Sequence, residues 1–75
     1  PPMYLDALGR RCPEPLLLLR QAMRLHAAVR EFIVSADDPL AHVDLAAFCA
    51  RFGHDYSRSA DGRELLVARG SINND

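Results

Sequence analysis

Prolines fix where the first helix of this chain can begin. Pro13 and Pro15 lie in the segment GRRCPEPL, residues 9–16, and no strong helix breaker interrupts the apolar run that follows. A proline in a helix interior removes a hydrogen bond and clashes with the preceding turn, whereas in the first turn its missing N–H has no partner to lose. The sequence therefore predicts a helix from Pro13 to about His26, with Cys12 at the N-cap and an irregular first turn.

The Asp-Asp-Pro sequence at residues 37–39 predicts the start of a second helix. Asp38 suits the N-cap because its carboxylate can accept hydrogen bonds from the free N–H groups of the first turn, and Pro39 suits the first helical position. Gly53 is expected to end the helix as a left-handed residue. The apolar spacing predicts that one face of this helix points inward and consists of Leu40, Val43, Ala47 and Ala50. Phe48 and Phe52 flank this face.

Four short stretches have the composition of β-strands: residues 3–7, 31–36, 54–59 and 64–69. They are bounded by turn residues, and Asp61-Gly62 is a hairpin signal between the last two. The element order is therefore βαβαββ. We predict an α/β (α+β) fold, a two-layer sandwich in which two helices pack on one face of a four-stranded mixed sheet.

The length and composition indicate one small domain. The chain has 75 residues, of which 49% are hydrophobic and 25% charged, a globular balance near the lower size for a single core. We expect residues 1–75 to form this one domain, with a polar, frayed tail at about 71–75.

Charge and cysteine usage exclude several function classes. A formal net charge of −1 gives no reason to expect direct nucleic-acid binding, and no apolar run approaches membrane length. All nine basic residues are arginine, so lysine Schiff-base chemistry is excluded. Cys12 and Cys49 form neither a CxxC pair nor a zinc-ligand spacing, which leaves a single disulfide conceivable. We expect a cytoplasmic location, where free thiols persist, and no metal.

Cys12 is the candidate reactive residue. A sulfur at a helix N-cap lies near unpaired N–H groups and the positive end of the helix dipole, and Arg10 and Arg11 add positive charge. These effects predict a lowered thiol pKa, which Glu14 would oppose if its carboxylate lay close. The alternative is that Cys12 packs in the core and that Pro13 and its neighbours only start a helix. Spacing alone leaves both interpretations open.

Two longer segments resemble one known family. The sequences LDALGRRCPEPLLLLR at 5–20 and ADDPLAHVDLAAFC at 36–49 are similar to those of the TusA/SirA-like small sulfur carriers. The shared features are a Cys-Pro-x-Pro motif at the first helix, a preceding Leu-Asp-x-x-Gly and an Asp-Pro start to the second helix. The resemblance spans about residues 4–69.

The resemblance implies a sulfurtransferase that acts as a persulfide relay. Cys12 would accept sulfane sulfur from a donor protein such as a cysteine desulfurase or a rhodanese, and pass it to an acceptor sulfur-relay protein. No cofactor beyond the transient cysteine persulfide is implied, and we expect a monomer. The pathway, whether tRNA thiolation, cofactor sulfuration or sulfur metabolism, stays open.

The resemblance also implies accessory residues that tune the thiol or dock partners. These are Arg10, Arg11, Pro13, Glu14, Pro15, Arg20, Asp37 and Asp38. Arg20 could equally be a solvated helix residue, and capping is the simpler role for Asp38. Cys49 also matches a family position, but its apolar neighbours favour packing.

Two departures from the family concern the partner rather than the thiol. The turn after the first helix lacks the family's Pro-Gly, and Val43 stands where a basic residue is common. A second hypothesis, from another class, is a non-catalytic regulatory or protein-interaction module of the same fold.

Overall fold

The computed structural model describes residues 1–70, and the predicted frayed tail lies outside them. The elements follow in the order β1 (Met3–Asp6), α1 (Glu14–Leu25), β2 (Glu31–Ser35), α2 (Pro39–Phe52), β3 (Asp55–Arg58) and β4 (Glu64–Ala68). The strand order in the sheet is β1-β2-β4-β3, with β1 parallel to β2 and the other pairs antiparallel. The predicted fold class is confirmed.

The core lies between the sheet and the two helices. Alternate residues of the central strands turn towards it, Phe32 and Val34 from β2 and Leu65 and Val67 from β4, all nearly inaccessible to solvent. Side chains at every second position of a strand share a face, so each central strand buries one apolar row under the helices. The other row stays on the open face of the sheet.

The start of α1 differs from the prediction by one residue. Pro13, not Cys12, is the N-cap, and the helix runs from Glu14. The reason is a turn before the helix: the N–H of Glu14 donates to the carbonyl of Arg11 at 2.8 Å, and the first helical bond runs from Leu17 to Pro13. The Cys12–Pro13 peptide bond is cis.

The ends of α2 were predicted correctly, but its buried face was not. Asp38 caps the N-terminus and Gly53 ends the helix with φ 76°. Leu40 and Val43, predicted to be inside, are 56% and 57% exposed, and Ala47 and Ala50 are exposed too. The buried residues are Ala41, Leu45 and Cys49. Apolar residues occur around almost the whole helix, so their spacing does not single out the face that packs on the sheet.

Neither helix in residues 1–70 has the combination of length and apolar character that a membrane span requires.

Candidate functional site

Cys12 lies in the thiol loop, residues 7–13, which joins β1 to α1. Its side chain is partly exposed, and neither cysteine of the chain is in a disulfide. The loop is short because the turn at Arg11 leads directly into the helix, and Pro15, buried in the first turn of α1, packs this helix start onto the core. The thiol is therefore presented at the surface by a loop that is held in place by the buried Pro15.

Asp38 joins the thiol loop to the second helix. Its Oδ2 accepts a hydrogen bond from the backbone N–H of Cys12 at 2.8 Å, and its Oδ1 accepts one from the N–H of Leu40 at 3.0 Å. These two bonds, that from Cys12 first, hold the pKa of the Asp38 carboxyl below its usual range, with help from the charge of Arg11. The predicted cap of α2 is therefore also the residue that positions Cys12.

A second carboxylate, that of Asp44 on α2, contacts the sulfur itself. The thiol of Cys12 donates a hydrogen bond to Oδ2 of Asp44. This bond raises the pKa of the Cys12 thiol, and partial burial and the charges of Asp44 and Asp38 raise it further. A negative group beside a thiol opposes loss of its proton. The lowered thiol pKa predicted from the sequence is therefore wrong.

The arginines that were expected to lower this pKa are engaged elsewhere. Arg10 forms an exposed ion pair with Glu14, at 3.6 Å between Nη1 and Oε1. The charge of Arg11, whose side chain is exposed, acts on the carboxylate of Asp38. Arg10 is thus paired with a carboxylate and Arg11 acts on one through its charge, whereas the thiol faces acidic groups.

Two further predicted accessory residues, Asp37 and Arg20, contact other groups than the thiol. Asp37 accepts a hydrogen bond from the N–H of Gly9 at 3.0 Å and so fixes the other end of the thiol loop. Arg20 lies with its guanidinium carbon 5.8 Å from the centre of the Phe48 ring. This cation–π contact links α1 to α2, and the side chain of Arg20 is exposed on its outer side.

Cys49 has the packing role that its apolar neighbours predicted. Its side chain is 1% exposed, within the core face of α2. Burial, followed by the charge of Asp55, raises its pKa to about 11. Such a thiol is inert in the folded protein because the thiolate is the reactive form.

Sequence reasoning missed Asp44. The prediction concentrated on charges next to Cys12 in the chain, whereas Asp44 is brought to the sulfur by the packing of α2 beside the start of α1. One signal was present: Asp44 is the only acidic residue within α2, in an otherwise mostly apolar helix. A lone carboxylate in such a helix needs a polar partner when it is partly buried.

Comparisons with known proteins agree with this fold. The family model of the sulfurtransferase TusA matches residues 3–68. A similar solved structure is that of the SirA-like protein from Desulfitobacterium hafniense, with a TM-score of 0.73 at 22% identity, covering 92% of this chain and 99% of that one. At this identity the structural likeness establishes the fold. Because the family model spans nearly all the described residues, including the thiol loop and both helices, this chain belongs to the TusA sulfurtransferase family.

Proposed function

We propose that this protein is a sulfur carrier that takes up sulfane sulfur as a persulfide on Cys12 and relays it to an acceptor protein. The observation that carries the proposal is the position of Cys12: a free, partly exposed thiol on an anchored loop, in a chain of the TusA family. Sulfur relay requires a thiol that a partner's thiol can reach and little other machinery.

The surroundings of Cys12 suit contact with a protein. Three large apolar side chains are more than half exposed and belong to residues tied to the site: Leu17, which is hydrogen-bonded to Pro13, Leu40, which is hydrogen-bonded to Asp38, and Val43, which precedes Asp44. Large exposed apolar side chains that form a patch mark interaction surfaces, so these three are candidates for the docking contact. Among the predicted accessory residues, Arg11 and Arg20 would then steer the approach of partners.

The partners follow from the chemistry. The donor is a protein that holds a persulfide, such as a cysteine desulfurase or a rhodanese, and the acceptor is a further sulfur-relay protein with a free thiol. No cofactor is needed, since the persulfide sulfur itself is the cargo. Transfer requires Cys12 and the acceptor cysteine to be free thiols, which is consistent with a reducing compartment such as the cytoplasm. The destination, tRNA thiolation, cofactor sulfuration or another branch of sulfur metabolism, depends on the acceptor.

The test is sulfur loading measured by intact mass. The protein is incubated with a cysteine desulfurase and cysteine, and Cys12→Ser and Cys49→Ser are treated in parallel. We expect the wild type and Cys49→Ser to gain the mass of one sulfur atom, and Cys12→Ser to gain none. Equal gain by Cys12→Ser would remove the basis of the proposal.

One observation favours the second hypothesis, a non-catalytic interaction module. The raised pKa of the Cys12 thiol lowers its thiolate fraction at neutral pH, which is unfavourable for a nucleophile. If the wild type gains no sulfur from either a desulfurase or a rhodanese but retains binding to a partner protein, this second function is supported.

A further inference from the structure

The proton of the Cys12 thiol has a defined partner. Sγ donates to Oδ2 of Asp44, 32 residues further along the chain. Asp38, the other carboxylate at the site, accepts from the backbone N–H groups of Cys12 and Leu40. The two carboxylates therefore have separate tasks, because Asp38 holds the chain while Asp44 contacts the reacting atom.

The other charged groups near the site contact or act on groups other than the thiol. Arg10 is paired with Glu14 on α1, Arg11 acts on Asp38, and Asp37 accepts from the N–H of Gly9. The acidic groups at the thiol are Asp38, the N-cap of α2, and Asp44, within α2. The proton of Cys12 is thus exchanged most directly with the carboxylate of Asp44.

A protonated thiol poses a problem for sulfur transfer. The attacking species must be the thiolate, and Asp44 raises the pKa of the thiol, so Cys12 is protonated at neutral pH. A carboxylate that holds the thiol proton can remove this difficulty if it accepts the proton during the attack, as a general base does.

We propose that Asp44 is a catalytic residue that takes the proton of Cys12 when sulfur is taken up and returns it when sulfur is released. The inference rests on the proposed function for its biological meaning, but the proton transfer can be measured independently of it.

In the uptake step Cys12 Sγ attacks the terminal sulfur of a donor persulfide. A new S–S bond forms to Cys12, the S–S bond of the donor breaks, and its electron pair leaves with the donor as a thiolate. The proton of Cys12 moves to Oδ2 of Asp44. The sulfane sulfur keeps its oxidation state, so no oxidant or reductant is needed.

In the release step an acceptor thiolate attacks the terminal sulfur on Cys12. The S–S bond to Cys12 breaks, the electron pair returns to Sγ, and the protonated Asp44 gives the proton back to it. The site ends as it began, with a neutral thiol and a carboxylate. Protonating the leaving sulfur favours release because a neutral thiol is a better leaving group than a thiolate.

The experiment is the pH dependence of thiol–disulfide exchange between the protein and a small neutral disulfide, from about pH 6 to 9. For the wild type we expect a nearly constant rate below the thiol pKa. In this range the Cys12–Asp44 pair keeps its one shared proton, so the concentration of the reactive pair does not change with pH. The thiol pKa itself is measured separately from thiolate absorbance. A wild-type rate that rises about tenfold per pH unit in step with the thiolate fraction overturns the proposal, and this outcome requires no variant.

Asp44→Asn keeps the size of the side chain and removes the base. We expect its thiol pKa to fall towards the ordinary value, yet its exchange rate should drop about tenfold for each pH unit below that pKa. The variant should therefore be slower than the wild type near pH 6 although its thiol is more ionised. If Asp44→Asn is faster at every pH, Asp44 only keeps the thiol protonated and the proposal is wrong.

Asp38→Asn is the charge control, since it also removes a negative charge near the thiol while leaving the carboxylate of Asp44 in place. Its single side-chain oxygen can replace only one of the two hydrogen bonds that Asp38 accepts, so its absolute rate can change. Its thiol pKa should fall, but its rate should stay independent of pH below that pKa. A profile like that of Asp44→Asn would mean that lost charge, and not a lost proton acceptor, explains both. Failure of sulfur loading in the wild type would overturn the proposed function while leaving this measurement able to decide the role of Asp44.

Discussion

The two cysteines of this chain are both held as neutral thiols, but by different means. Cys49 is 1% exposed in the core, and its pKa rises to about 11 mainly because burial disfavours the charged form. Cys12 is partly exposed, and the largest cause of its raised pKa is one hydrogen bond to Asp44. Burial can be reversed only by unfolding, whereas a hydrogen bond can be exchanged at the surface when a partner arrives.

The comparison shows that a raised thiol pKa does not by itself identify an inert cysteine. At Cys49 the whole core keeps the proton on sulfur. At Cys12 the group that keeps the proton there, Asp44, is also the group that can accept it. Access and the identity of the neighbouring base distinguish a packing residue from a candidate sulfur carrier.

The largest difference is expected in alkylation. In the folded protein at neutral pH, Cys12 should react with iodoacetamide at least on the order of 100-fold faster than Cys49, because Cys49 becomes accessible only through opening of the core. Peptide mass spectrometry after timed quenching measures both rates. The control is the unfolded protein, where the two should react at similar rates. Comparable rates before unfolding would contradict the assigned difference in burial.

The second largest effect is expected at alkaline pH, where ionisation of Cys49 should lower the stability of the fold. The folded-state pKa of Cys49 is raised, so the folded protein retains a proton that the unfolded chain loses between about pH 9 and pH 11. Stability is therefore fully present below this window and is lost as pH rises through it, by roughly 2–3 kcal/mol from this group. Denaturant melts of Cys49→Ala should lack this part of the decline. A decline as steep as in the wild type would assign it to other groups.

Serine substitutions should have unequal effects on stability. Cys49→Ser should lower the free energy of unfolding by about 2 kcal/mol, because it buries a hydroxyl among apolar neighbours. Cys12→Ser should change it by less than about 1 kcal/mol, since the hydroxyl remains partly solvated and can still donate to Asp44. Thermal melts decide between the two. If Cys12→Ser is the more damaging change, Cys12 has a structural role.

The smallest expected effect concerns docking. Arg11→Glu should slow sulfur transfer from a protein donor by about threefold at low salt, and the defect should shrink as ionic strength rises, because a surface charge acts mainly on encounter. Stopped-flow transfer from protein and small-molecule donors at several salt concentrations measures it. Equal slowing with both donors, independent of salt, would assign Arg11 to the thiol pKa.

Much of the fold was predictable because its signals are local. Prolines and turn residues marked both helix starts, and the capping roles of Asp38 and Gly53 depend on their own backbone position. The buried face of α2 was not predictable from spacing, since Leu40 and Val43 are as apolar as the residues that are buried. Which face packs is decided by the sheet, a long-range contact.

The candidate site, like the fold, was predictable only where its signals are local in the sequence. Cys12 could be found from its motif, and Pro15 from its place in the first turn. The direction in which the thiol pKa shifts could not be predicted, because the group that raises it most, Asp44, comes from the other helix. Arg10 and Arg11 were counted by their nearness in sequence, but each acts on a carboxylate, Glu14 and Asp38 respectively.

The most direct measurement follows labelled sulfur through Cys12. The protein is loaded from a desulfurase with isotopically labelled cysteine, separated from the donor, and mixed with an acceptor protein that bears a free thiol. Alkylation and peptide mapping then locate the label before and after mixing. We expect the label on the peptide that contains Cys12, none on Cys49, and transfer to the acceptor on mixing. Label on Cys49, or label that stays on Cys12 in the presence of every acceptor tried, would contradict a relay through this thiol.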